Sequence, residues 1–202
     1  MIRIEELMSI DSSDLQEASK ALDKNDLAQL VEWLSQKDDK IRYQALLILK
    51  KRSEYSGDVY PFWDNFVEKL RSTNSYQRSV GLMLISDNTK WDTENRLDMT
   101  IDDYMALLND EKPITIRQCI IAMNSIIPYK SNLHERIAKR LMSIDILAIK
   151  ETMRKLILFD ILCILLEIRK YKTTSEIESY IINAISGEIL DKKTKKQIES
   201  ML

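Results

Sequence analysis

One histidine, His134, and two cysteines, Cys119 and Cys163, are the whole supply of soft metal ligands and nucleophile–base partners in this 202-residue chain. A Ser-His-Asp or Cys-His site would have to use His134, which stands between Leu133 and Glu135 and reads as a surface residue. The cysteines lie far apart, each in an apolar run, without the CxxC spacing of a metal or redox site. They read as reduced, partly buried thiols of a cytoplasmic protein. The neighbouring carboxylates Asp102–Asp103 and Asp110–Glu111 are adjacent in sequence, so each pair diverges to different helix faces or loops. Glycine occurs only at 57, 81 and 187, which excludes a glycine-rich phosphate loop. The expectation is a chain that is not an enzyme, with no catalytic residues, no metal and no cofactors.

The residues that do recur are arginines. Arg42, Arg78, Arg117 and Arg154 are spaced 36, 39 and 37 residues apart. The third and fourth positions after each are apolar or glycine: Ala45–Leu46, Gly81–Leu82, Ile120–Ile121 and Ile157–Leu158. A period in this range marks stacked helical pairs, each unable to bury its apolar face alone. A cationic ladder could take an acidic peptide or phosphates. The alternative is a structural arginine ladder, in which each planar guanidinium bonds helix-end carbonyls or carboxylates of the adjacent repeat. The structural role is favoured.

Composition agrees with helices. Three glycines and three prolines are few for a chain built on sheets or long loops. The net charge of −2 gives no general attraction to nucleic acid or anionic lipid. Its distribution is uneven: residues 1–129 hold 16 Lys/Arg against 22 Asp/Glu, and residues 130–172 hold 10 against 5. That basic stretch is either an anion-binding surface or a solvated face, and solvation is the commoner case. The N-terminus carries Glu5 and Glu6 where a signal peptide needs a basic flank. The apolar run from Leu156 to Ile168 contains Asp160 and Glu167 and is shorter than the ~20 residues that span a bilayer. It reads as a buried core helix, and no membrane contact is expected.

The elements follow from caps and apolar spacing. Residues 1–25 form an N-terminal cap, with Asp11, Ser12 and Ser13 offering N-cap oxygens to a helix carrying Leu15, Ala18, Ala21 and Leu22. Residues 26–172 form four helical pairs. Asn25 caps the first helix, and Asp38–Asp39 open its partner through about Arg52. Pro61 begins the second pair, lined by Phe62, Phe66, Val67 and Leu70. Thr73, Asn74 and Ser75 cap its partner to about Ser86, and a connector runs from Asp87 to Glu94. The third pair places a second helix at about Ile114–Ile127, and the fourth a long one at about Ile149–Lys170. Residues 173–202 form a C-terminal helical cap, broken at Gly187 and ending in an amphipathic helix Ile189–Leu202 with frayed ends.

On these residues the chain resembles the HEAT/armadillo-like helical repeats. The HEAT second helix has an acidic cap, an aliphatic residue before the arginine and alanine three residues after it. Asp38, Ile41, Arg42 and Ala45 match throughout. Asn74, Gln77, Arg78 and Gly81 keep the cap and lose the aliphatic. Pro113, Ile116, Arg117 and Ile120, then Met153, Arg154 and Ile157, match less fully. More narrowly, VYPFWDNF, NSYQRSVGLMLI and LNDEKPITIRQC are similar to a group of small Firmicute HEAT-like proteins often labelled "SufBD". The iron–sulfur association of that label is not carried over, because two separated cysteines and one histidine cannot ligate a cluster. The resemblance implies an all-α, HEAT-like right-handed α-solenoid of about four helical pairs plus terminal capping helices, forming a single domain over 1–202 of bacterial origin.

In such an array the second helix of each pair lines the concave side. Positions one and five after each arginine then form a partner-binding groove: Tyr43, Leu47, Ser79, Met83, Gln118, Ala122, Lys155 and Phe159. Position two adds Gln44, Val80, Cys119 and Leu156. This strip is mostly apolar with polar edges, which suits a helix or peptide from a protein partner. A tight superhelix would instead bury it as core. Lys139, Lys150 and Lys155 would orient the partner from one end. Trp33, Trp63 and Trp91 admit comparison with HEAT-type alkyl-base DNA glycosylases, but the acidic balance before residue 130 opposes duplex binding and packing explains them better. The reading is a non-enzymatic scaffold or adaptor. A nucleic-acid-binding module and an accessory subunit of another enzyme are the alternatives.

Overall fold

In a computed structural model describing residues 1–202, the chain is all-helical, with twelve α-helices, short 3-10 turns and no strand. It divides into two compact units, Met1–Thr100 and Ile101–Leu202, with the division inside the helix Arg96–Ala106.

The first unit contains α1 (Ile4–Met8), α2 (Leu15–Ala21), α3 (Lys24–Trp33), α4 (Asp39–Ser53), α5 (Trp63–Leu70), α6 (Ser75–Asn88) and the start of α7 (Arg96–Ala106). Here α4 is central and packs on α1, α2, α3 and α6, while α5 packs on α6. Each second helix starts where a short polar side chain satisfies a free N–H: Asp38 accepts from Lys40 N, and Asn74 from Tyr76 N. Gly81 allows the closest contact. A Cβ there would lie 2.6 Å from Phe66 O, so α5 and α6 meet backbone to backbone. Trp63, Phe66 and Leu70 form the buried face of α5, with Trp63 taking the place expected for Phe62.

The second unit contains the rest of α7, then α8 (Pro113–Ala122), α9 (His134–Met142), α10 (Glu151–Arg169), α11 (Ser175–Ser186) and α12 (Lys192–Glu199). Its centre is α10, which packs on α8, α9, α11 and α12. Ile157, Ile161, Leu162, Ile164 and Leu165 on α10 are closed from solvent, as burial on several sides requires. No helix is long and apolar enough to cross a membrane.

Several boundaries differ from the sequence expectation, each for a local reason. The cap of α3 is Asp23, not Asn25. Asp23 accepts from both Asn25 N and Asp26 N, and Asp26 returns a bond to Asp23 N, so Asn25 falls inside the first turn. The N-terminal cap is two short helices, and α2 begins after Asp14. α6 continues to Asn88, whose buried amide donates to Leu84 O and Ser53 Oγ. α8 stops at Ala122, five residues early, where the backbone tightens into the 3-10 turn Met123–Ser125. The last helix is only Lys192–Glu199, but its ends are held: Asp191 caps it and Ile198 is fully buried.

Candidate interaction surface

The four arginines occupy the first turns of α4, α6, α8 and α10, and three of them do one job. Arg42 Nη1 donates to Gln36 O (2.7 Å) and Lys37 O (3.0 Å). Arg78 Nη1 donates to Ser72 O (2.8 Å) and Thr73 O (3.1 Å). Arg154 donates to Ile149 O (2.9 Å) and Leu147 O (2.7 Å). In each case the carbonyls belong to the turn just before the arginine's own helix. Carbonyls after a helix end lack intrahelical partners, and a planar fork can take two at once. The bonds to these turns run within one pair, not to the adjacent repeat. Arg117 differs. It holds Asp160 of α10 through Nε (2.6 Å) and Nη2 (3.1 Å). Asp160 is 7 % exposed, and a carboxylate so enclosed needs a charged partner.

The expected groove positions differ in exposure within each unit. In the first unit Tyr43 is exposed, and Leu47, Ser79 and Met83 are half-buried. In the second unit Lys155 is exposed and Gln118 and Phe159 are half-buried, but Ala122 is buried at the end of α8. Position two is divided. Leu156 is exposed, Val80 and Cys119 are core, and Gln44 Nε2 is committed to Ile10 O at 2.8 Å. Ala122, Val80 and Cys119 are thus closed to a partner. Cys119 Sγ reaches Tyr104 O of α7 at 3.4 Å.

The basic stretch is largely engaged within the protein. Lys139 pairs with Glu135, Lys155 with Asp191, Arg169 with Glu178, Lys170 with Glu167, and Arg136 with Asp102. Lys139 and Lys155, expected to orient a partner, are therefore occupied.

His134 is buried, not on the surface. Its Nε2 lies 2.8 Å from Ile127 O, and its ring meets Tyr171 edge-on at 5.0 Å. A carbonyl only accepts, so Nε2 carries the hydrogen. Cys119 is fully buried and burial raises its thiol well above the ordinary value; burial also lifts Cys163 to about 11. Neither is a ready thiolate. Trp33 and Trp63 are core, and Trp91 Nε1 donates to Ser53 O at 2.8 Å while its ring covers Gly57. No three His, Cys, Asp or Glu side chains group so as to hold a metal ion. A pocket of about 270 Å3 between α9, α10 and α11 has Ala138, Met142 and Ile168 in its wall, with two lysines and two glutamates. Its balanced charge selects no ligand class.

Compared with known proteins, the chain matches no family model, no curated protein and no solved structure.

Sequence reasoning missed the four lysines of α12. Lys192, Lys193, Lys195 and Lys196 form no ion pair within the protein. Their signal was present as four ammonium groups in five residues after a capping aspartate, in a segment expected only to be a frayed end.

Proposed function

We propose that this chain is a non-catalytic helical-repeat interaction module, a HEAT-like solenoid that binds a protein or peptide partner along its second helices. The observation that carries this reading is how the second helices pack inside each unit. α4 lies on α6 in the first, and α8 lies on α10 in the second, each pair entered through a polar or proline start and an arginine in the first turns. Second helices in side-by-side contact are what a stack of helical pairs produces. Positions one and five after the arginines remain open on these helices, apart from Ala122. Half-buried apolar side chains edged by Tyr43, Ser79 and Gln118 suit a peptide or helix, which gains ~1.5–3 kcal/mol for each large side chain it desolvates.

The test replaces Met83 and Phe159 by Asp in the full chain and compares helicity and co-purifying partners with the parent. Kept helicity with a lost partner supports the reading. Kept helicity with an unchanged partner set moves the site off the second helices, and loss of folding makes the strip core.

A further inference from the structure

We propose that the face made by α8, α10 and α12 of the second unit takes an acidic amphipathic helix from the partner protein. This names the partner class and rests on the interaction-module reading.

Two bonds place α12 along α10. Lys155 Nζ holds Asp191 Oδ2 at 2.9 Å, and Arg169 Nη1 donates to Leu202 O at 2.8 Å. The first lies near the start of both helices and the second near the end of both, so α12 runs beside α10 in the same direction. Ile198, closed from solvent, anchors it. The lysines Lys192, Lys193 and Lys196 are exposed and Lys195 is half-exposed.

These lysines fan around the open side of α12, and next to that helix an apolar lane runs along α10. Leu156, Phe159 and Cys163 follow one another at helical spacing along the open side of α10, and Leu156 is 37 % exposed. On α8, Ile114 and Ile121 are exposed, and the Arg117–Asp160 bond joins the two helices at that level. An apolar lane at helical spacing is what a docked helix covers. Lys192, Lys193, Lys195 and Lys196, none of them ion-paired within the protein, favour carboxylates on the flank of that helix, because complementary charge sets partner choice and encounter rate. The Leu156, Phe159 and Cys163 side chains are partly sunk among their neighbours. That form receives protruding side chains of a partner. A nucleic acid would neutralise the lysines and leave the apolar lane wet.

The experiment uses the full chain and fluorescein-labelled synthetic peptides. One is an amphipathic helix with leucines at helical spacing and flanking glutamates; its twin carries lysines in place of the glutamates. Anisotropy is measured at about 0.05 and 0.3 M salt, since exposed charge attraction is screened over about a Debye length. The acidic peptide is expected to bind at least about tenfold more tightly than its twin, and to weaken with salt. Changing Lys192→Gln, Lys193→Gln, Lys195→Gln and Lys196→Gln together should erase that preference while helicity is kept, since none of the four is buried or ion-paired. Leu156→Ser should weaken both peptides alike. Equal binding of the two peptides, an unchanged preference in the glutamine variant, or tighter binding of a short DNA duplex or phosphatidylserine vesicles overturns the proposal. If the acidic preference fails while Met83→Asp and Phe159→Asp still release the natural partner, only the acidic class is wrong. If that partner stays bound as well, the second-helix site itself falls.

Discussion

Gly81 sets two small effects against each other at a single residue. Alanine is the better helix former by ~1 kcal/mol. Its Cβ, however, would stand 2.6 Å from Phe66 O, a backbone atom that cannot step aside. Overpacking against a backbone costs about 1–3 kcal/mol, so Gly81→Ala is expected to lower the melting temperature. A rise would show that α5 moves away freely. Arg78 is 8 % exposed and bonds two carbonyls. Arg78→Ala leaves both without their donor and should cost about 1–3 kcal/mol in denaturant unfolding. Arg78→Lys should recover only part, since an ammonium lacks the planar fork. An unchanged midpoint in the alanine variant would mean that water serves those carbonyls equally well.

Among the elements, α12 is the one whose attachment should depend on pH. The Asp191 carboxyl is held below the ordinary range, first by Thr194 N–H and then by the Lys155 ammonium and the Thr194 hydroxyl. A carboxyl depressed in the folded state contributes fully above its unfolded value of about 4, and loses that contribution as pH falls through the folded value. Acid should therefore loosen α12 from α10. Asp191→Asn keeps a capping oxygen and does not titrate there, so hydrogen exchange over residues 190–202 should lose part of its acid sensitivity. Identical acid profiles in the two proteins would refute this. The caps Asp38 and Asn74 and the arginines Arg42, Arg78 and Arg154 were legible because their bonds are local, whereas Arg117 keeps their spacing but holds Asp160, 43 residues away. Asp23 was legible only in hindsight, since choosing it over Asn25 needs the return bond from Asp26. His134 was misplaced because its burial comes from Ile127 and Tyr171, which its own neighbours do not announce. The lysines of α12 were visible as letters. Their use depends on Lys155 and Arg169 laying that helix along α10, and no periodicity encodes this.

For the molecule as a whole, the arginine bonds bear on the order in which the chain becomes ordered. Arg42, Arg78 and Arg154 reach carbonyls only five to seven residues back. Arg117 and Asp160 are 43 residues apart. Short loops close at little entropic cost and long ones at more, so near contacts can form before the far one. Arg78→Ala should therefore slow refolding, while Arg117→Ala should chiefly hasten unfolding, as stopped-flow rates would show. The opposite partition would mean that the long-range pair belongs to the nucleus. The same geometry has a hereditary consequence. On the helical-repeat reading, a hairpin that fastens its own turn carries that closure with it when its pair is copied, and only the apolar faces beside it must still match. The Arg117–Asp160 bond cannot be copied that way, because its two halves lie in different pairs.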